Sequence, residues 1–123
     1  MSQDIVADAL NQIMNAKRAG RPETKIKRSS KFLLSVLDLI KKLGYVDYRI
    51  KDEELVIELK NINECRAIKP RYHVAVEDID RYVRRFLPAR DFGFIIISTS
   101  KGLLTHDEAI EKNIGGSLIA YVF

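Results

Sequence analysis

Residues 92–110, FGFIIISTSKGLLTHDEAI, contain a strand signal and a helix signal on which the predicted fold class depends. The segment Phe92–Ile97 is an apolar run with the length of a buried strand. Thr105 and Glu108 form a T-x-x-E capping box, which predicts that a short helix begins there. Alternating side chains over Ser117–Phe123 predict a closing strand. These elements, together with the helices and strands of the rest of the chain, indicate an α+β fold.

The first half of the chain is predicted to run helix, strand, helix, strand, strand. Apolar pairs that recur every four positions after Ile5 are typical of a helix with one buried face. The other elements are a strand over residues 24–28, a helix from Ser29 or Ser30 to Gly44, and strands over 45–50 and 55–60 joined by the turn 51–54.

The second half is predicted to contain more strand. Strands are expected over residues 65–68 and 72–76, and a helix over 77–86. Because the pattern changes after Asn61, residues 1–62 are predicted to form an N-terminal αβαββ subdomain and residues 63–123 a C-terminal β-rich subdomain. Each alone has a thin core, so the two small α/β subdomains are expected to pack together.

Composition excludes several classes of protein. With 46% hydrophobic and 31% charged residues over 123 positions, the chain can bury a core and has no signature of disorder. Its one cysteine, Cys65, excludes an internal disulfide and a Cys-x-x-Cys site. No apolar stretch approaches the roughly 20 residues that span a bilayer, and the start MSQDIVAD is unlike a signal peptide. We therefore expect a soluble, intracellular protein with no membrane partner.

Basic residues are concentrated in two regions. Residues 17–31 contain seven Lys or Arg and one acid, and residues 66–90 contain seven Lys or Arg and three acids. Such regions favour an anionic partner, although either one alone is also compatible with an ordinary solvated surface. The chain has no tryptophan and only 8% aromatic residues, which argues against a platform for stacking unpaired bases. Contacts to a nucleic-acid backbone and groove edges are the expected mode.

The sequence contains few features that are typical of an enzyme. His73 and His106 are the only histidines and have no neighbours at metal-ligand spacing. His73 is predicted to be an ordinary strand residue and His106 an exposed residue of a first helical turn. No G-x-S-x-G motif surrounds the serines. We expect no catalytic residue, no metal and no cofactor.

The segment Ser98–Gly102 is the strongest candidate for a binding site. Small hydroxyl side chains follow a buried strand, and each hydroxyl can donate and accept a hydrogen bond. The wide, shallow minor groove of RNA presents 2′-hydroxyls and base acceptors to such groups, and Gly102 allows close approach of the backbone. An ordinary Ser/Thr turn, in which the hydroxyls cap the loop itself, remains the alternative.

Several motifs in a fixed order resemble one known family. They are DIVADALNQIMNA at 4–16, SSK at 29–31, IKPRY at 68–72, LPARDFG at 87–93, ISTSKGLLTHDEA at 97–109 and IGGSLIAYVF at 114–123. Together they cover nearly the whole chain and resemble the universal ribosomal protein eight of the small subunit, in its archaeal and eukaryotic branch.

The resemblance implies a ribosomal protein rather than an enzyme. It implies a primary rRNA-binding protein that binds the central domain of small-subunit ribosomal RNA, promotes assembly of that domain and lies beside other small-subunit proteins in the cytoplasm. A translational regulator that binds its own messenger RNA is the alternative function. Neither reading requires a cofactor.

The family's RNA-contacting positions transfer onto this chain residue by residue. They are Ser29, Ser30, Lys31, Lys69, Arg71, Ser98, Thr99, Ser100, Lys101, Gly102, Gly115 and Gly116. Two departures stand out. The turn 51–54 is shorter than the glycine-containing connection of many archaeal relatives. Ser117 stands where bacterial members usually have Glu, so a groove contact through that carboxylate is expected to be absent or replaced.

Overall fold

The computed structural model describes residues 5–27, 30–69, 72–89 and 92–123. The chain divides after Cys65 into two compact units, where the sequence pattern places a boundary near residue 62. Each unit combines helices with one sheet, so the predicted α+β class is confirmed. Within the described ranges, no helix is both long and apolar enough to cross a membrane.

The first unit is a three-stranded sheet with two helices packed on it. Its elements are α1 (Ile5–Arg18), β1 (Glu23–Ile26), α2 (Lys31–Lys42), β2 (Val46–Lys51) and β3 (Glu54–Leu59). The antiparallel order β1-β3-β2 makes β3 the central strand, and its residues 55–57 are buried. Helix α1 contacts β1 and helix α2 contacts β2. Both helices supply large side chains to the core, namely Leu10, Ile13, Leu33, Leu37 and Ile40.

Local chemistry explains where these elements start and turn. The Ser30 hydroxyl accepts a hydrogen bond from Leu33 N (3.1 Å), so Ser30 caps α2 as one of the two predicted candidates. Strands β2 and β3 pair up to Lys51 and Glu54, which leaves only two residues in the turn. Asp52 and Glu53 both have positive φ (51° and 65°), the geometry of a type I′ turn, which suits the twist of a tight hairpin.

The second unit contains a five-stranded sheet and two short helices. Its elements are β4 (Cys65–Ala67), β5 (His73–Val74), a 3₁₀ turn (Val76–Asp78), α3 (Ile79–Phe86), β6 (Phe94–Thr99), β7 (Gly102–Thr105), α4 (His106–Glu111) and β8 (Gly116–Val122). The sheet order is β4-β8-β6-β7, and β5 also pairs with β8. Strands β6 and β8 therefore form the centre of the sheet.

An irregularity in the β6–β8 ladder sets the register of the whole unit. Ile96 pairs with Ala120 and Ile97 pairs with Leu118, so Ile119 has no partner on β6 and forms a bulge. The carbonyl of Ile119 instead accepts a hydrogen bond from Ile68 N (2.9 Å). Residues 118–120 are consequently all buried, although the sequence alternation predicts opposite faces for Leu118 and Ile119.

Other differences from the sequence prediction are local. Strand β7 was not predicted, because its four residues show no apolar alternation and its last residue, Thr105, also caps α4. The strand expected over 72–76 is shorter, since Val76 begins a 3₁₀ turn. Helix α3 begins at Ile79, after that 3₁₀ turn, and it ends at Phe86 as predicted, because Leu87 precedes Pro88 and adopts extended backbone angles. The capping box of Thr105 and Glu108 is confirmed.

Candidate nucleic-acid interface

The predicted hydroxyl segment forms the hairpin between β6 and β7. Thr99 and Gly102 make the last pair of the ladder, and Ser100 and Lys101 form the exposed turn between them. Gly102 has φ +101°, which L-residues rarely adopt and which matches the glycine that follows a type I turn in short hairpins. The segment therefore projects from the end of the sheet.

The hydroxyl of Thr99 builds the turn. Thr99 Oγ1 donates a hydrogen bond to the carbonyl of Gly102 (2.8 Å) and accepts one from Lys101 N (3.1 Å). Both hydrogen-bonding capacities are thus used within the loop, as the Ser/Thr-turn interpretation proposed. Thr99 holds Ser100 and Lys101 in position.

The two serine hydroxyls of the segment differ from that of Thr99. Ser98 is half-buried on β6 and Ser100 is exposed, and within the described ranges neither hydroxyl has a hydrogen-bond partner. No unpartnered side-chain nitrogen or oxygen of a described residue is buried, so the Ser98 hydroxyl reaches solvent. Both groups are free to donate to and accept from a ligand.

The strand that supports the segment is rigid by packing. Ile95, Ile96 and Ile97 are each fully buried, as predicted for the apolar run. Close-packed interiors resist displacement, so the end of β6 holds Ser98 at a fixed position. A fixed position suits recognition of one particular shape.

His106 stabilises the same strand from the interior, which corrects the prediction that it is exposed. Its side chain is buried (3% exposed), and its Nδ1 accepts a hydrogen bond from Ile95 N (3.2 Å). Strand β7 ends at Thr105, so it offers no backbone acceptor to Ile95 N. The imidazole takes the place of that acceptor. An apolar side chain would leave that buried N–H unpaired.

The environment of His106 favours its neutral form. Burial lowers the pKa of the imidazole below its ordinary value of 6.5, and the nearby carboxylates of Asp107 and Asp80 oppose that shift without cancelling it. Since Nδ1 accepts from Ile95, the remaining proton is on Nε2, which lies 3.4 Å from Asp107 Oδ1. The histidine therefore stabilises the end of the sheet as a buried hydrogen-bond acceptor.

Gly115 and Gly116 allow β8 to enter the sheet. A Cβ on Gly116 would overlap the Ser98 carbonyl oxygen, and a Cβ on Gly115 would overlap the Val74 carbonyl oxygen. The paired glycines are therefore required by close approach of neighbouring strands. Their effect is to place the next residue, Ser117, between two strands.

A polar row crosses the sheet beside the hairpin. Ser98 on β6 pairs with Ser117 on β8, and Ser117 pairs with His73 on β5. Directly opposed residues share a face of a sheet, so these three side chains stand together. Sequence reasoning noted Ser117 only as standing where bacterial members usually have Glu. It did not assign His73 to the site, because pairing across strands leaves no local signal.

The remaining predicted residues are spread over both units. In the first unit, Ser30 caps α2 and Lys31 is the exposed first residue of that helix. In the second unit, Lys69 is exposed after β4. Ser29 and Arg71 lie outside the described residues.

Charges differ in their availability to a ligand. Arg81 pairs with Asp78 (3.1 Å) and Arg84 with Asp80 (3.8 Å) along α3, so these exposed arginines already have acidic partners. Lys101 Nζ makes no ion pair with any described residue. In the second unit, the cation on the hairpin turn is thus free to neutralise a phosphate.

The described residues offer little for other chemistry. No group of three or more His, Cys, Asp or Glu side chains among them is placed to hold a metal ion. His73 contacts Ser117 with Nδ1 and Oγ 3.4 Å apart, but no carboxylate completes a catalytic arrangement with that pair in the described part of the chain. Half-buried and exposed hydroxyls beside an exposed lysine on a rigid sheet suit binding.

Comparisons with known proteins point to one family. The family model described as Ribosomal protein S8 matches residues 4–123. The chain is similar to Small ribosomal subunit protein uS8 of Nanoarchaeum equitans, with 43% identity covering 100% of both chains. It is also similar to uS8A of Schizosaccharomyces pombe (39% identity, 98% of both chains) and to uS8B of Candida albicans (36% identity, 97% of this chain and 96% of the other). The chain therefore belongs to the ribosomal protein S8 family.

Proposed function

We propose that this chain binds the central domain of small-subunit ribosomal RNA and promotes the assembly of that domain. As a member of its family it is a cytoplasmic component of the small ribosomal subunit and not an enzyme, with ribosomal RNA and ribosomal proteins as its neighbours. The exposed hydroxyl hairpin on a buried strand is the observation on which the proposal depends.

The mechanism divides recognition between two kinds of group. The hydroxyls of Ser98 and Ser100, which have no partner in the described part of the chain, meet the edges and 2′-hydroxyls of an RNA minor groove, which gives specificity. Lys101 on the same turn neutralises a phosphate and adds affinity without reading sequence. Lys31 and Lys69 are exposed and supply further phosphate contacts.

The roles of the other assigned positions are indirect. Thr99 and Gly102 shape the turn through the Oγ1 hydrogen bond and the positive φ. Gly115 and Gly116 bring β8 against its neighbours. We assign these residues to positioning the hydroxyls and the lysine, so their substitution affects RNA binding through loop geometry.

Filter binding with a transcript of the central domain tests the proposal. We expect the full chain to bind this fragment more tightly than an equally long fragment from another domain of the same RNA. Ser100→Ala is expected to weaken the specific complex by about 1 to 3 kcal/mol, because a groove partner loses its hydrogen bond. Equal affinity for both fragments, or no effect of Ser100→Ala, contradicts the proposal.

Two further measurements refine it. Chemical probing of the fragment during folding, with and without protein, should show faster protection of the bound region if the protein promotes assembly. A competition with the leader of the protein's own transcript addresses regulation. Preferential binding to the leader would favour the regulatory function over the assembly function.

A further inference from the structure

We propose that His73 is an additional RNA-contacting residue, which extends the hydroxyl row by one strand and hydrogen-bonds a ribose 2′-hydroxyl. This inference rests on the proposed function. It starts from the register of three adjacent strands, in which His73, Ser117 and Ser98 lie directly opposite one another.

The row extends across three adjacent strands. Adjacent strands of a sheet are about 4.8 Å apart, so His73 and Ser98, separated by two such steps, span about 10 Å. Their side chains share the face of Ser117. A hydrogen-bonding group therefore stands at each strand along this line, and successive sugars of one RNA strand can meet successive groups.

The contacts of His73 leave one ring nitrogen available. Nδ1 lies 3.4 Å from Ser117 Oγ, and this is the only side-chain polar contact that the structure gives His73 within the described ranges. The ring itself is exposed. If Ser117 donates to Nδ1, Nε2 carries the proton and donates. If Nδ1 donates to Ser117, Nε2 accepts. A 2′-hydroxyl can pair with either form, because it both donates and accepts.

Position on the sheet also makes His73 accessible. Strand β5 pairs with β8 alone, so its other edge has no strand partner among the described residues. Ser117 contacts the imidazole from one side, and a contact that restricts the ring lowers the entropy lost when RNA binds. The pair His73–Ser117 can therefore act as one unit at the margin of the hydroxyl surface.

A double-mutant design with modified RNA tests the contact. The full chain and its His73→Ala and His73→Asn variants are bound to the central-domain fragment and to a set in which one ribose at a time is replaced by 2′-deoxyribose. We expect His73→Ala to weaken binding roughly threefold to tenfold, and His73→Asn, whose amide also donates and accepts, to lose less.

The deciding result is coupling to one sugar. Replacement of one particular ribose by deoxyribose should weaken RNA binding by the unmodified protein by the same factor as His73→Ala does. The same replacement should not weaken RNA binding by the His73→Ala variant any further. Unchanged affinity of His73→Ala, or a loss that no deoxy position shares, overturns the inference. In either case tight, Ser100-dependent binding by the unmodified chain still supports the proposed function, whereas absence of that binding rejects both.

Discussion

A Cβ atom at position 116 would overlap the carbonyl oxygen of Ser98 and lie 3.0 Å from Ile97 Cγ2. The start of β8 therefore lies directly against the backbone of Ser98 and the side chain of Ile97 at the end of β6, where the candidate RNA surface begins. This relationship ties the glycine pair to the position of the hydroxyl hairpin. It also distinguishes glycines at which a Cβ atom would not fit from glycines whose backbone angles other residues rarely adopt.

We expect Gly116→Ala to lower the free energy of unfolding by about 1 to 3 kcal/mol and to reduce RNA affinity as well, because the end of β6 must shift. Urea denaturation and filter binding measure the two effects. Gly102→Ala is the matched control: its Cβ meets nothing within 4 Å, so its cost of about 1 to 2 kcal/mol comes from the positive φ alone. Equal tolerance of alanine and asparagine at position 116 would contradict the close-approach argument, whereas at position 102 asparagine should be better tolerated than alanine.

The type I′ turn of the first unit offers a stabilising substitution. Glu53 has φ 65°, a conformation that costs an ordinary L-residue free energy and that glycine adopts freely. We expect Glu53→Gly to raise the free energy of unfolding by about 0.5 to 1 kcal/mol, which thermal or urea unfolding can measure. Glu54→Gly, in the adjoining strand, should instead destabilise the protein. A loss of stability in both variants would show that the positive φ of Glu53 does not lower the stability of the protein.

His106 should make stability depend on pH. Its pKa in the folded chain lies below the ordinary 6.5, so below that pH the unfolded chain binds the proton more readily. The stabilisation is fully present above 6.5 and is lost as the pH falls below it, down to the lowered pKa. Urea titrations between about pH 7.5 and about pH 5.5 test this dependence.

His106→Asn provides the control for that titration. Its amide oxygen can accept the hydrogen bond from Ile95 N and does not titrate in this range. The variant should fold with a flatter pH dependence than the unmodified chain. A slope that is unchanged in His106→Asn would assign the pH dependence to other groups.

Lysine contacts should be visible in the salt dependence of RNA binding. Removing one phosphate contact lowers the slope of log K against log salt concentration by about one unit. We expect this change for Lys101→Gln and separately for Lys31→Gln, with similar losses for cognate and unrelated RNA. Ser100→Ala should lower affinity for the cognate fragment and leave the slope unchanged. An unaltered slope in a lysine variant would show that its ammonium group does not contact phosphate.

Most elements were predictable because their signals are local. The capping box at Thr105, the Ser30 cap and the four-residue apolar period of α1 depend on neighbours within one or two helical turns. The buried triplet Ile95–Ile97 was recognisable from composition alone. The hydroxyl segment after it was recognisable for the same reason, since its residues are consecutive.

The burial of His106 and the hydrogen bonds of Thr99 were harder to predict from the sequence. His106 begins a helix whose first turn is usually solvated, and only the end of β7 at Thr105 places the imidazole under Ile95. The sequence groups Thr99 with the other hydroxyls as a predicted contact, and only the structure shows that its Oγ1 makes two hydrogen bonds within the turn. Both features depend on the residue at which a neighbouring strand begins or ends.

The sequence by itself determined the α+β class, the order of elements in the first unit and the hydroxyl segment, because periodicity and capping act over short distances. Tertiary structure alone decided which residues join that segment. With a regular ladder Ser98 would face Leu118, but the bulge at Ile119 shifts the register by one and places Ser117 there, with His73 beyond it. A one-residue change of register exchanges the two faces of a strand, and no local pattern encodes it.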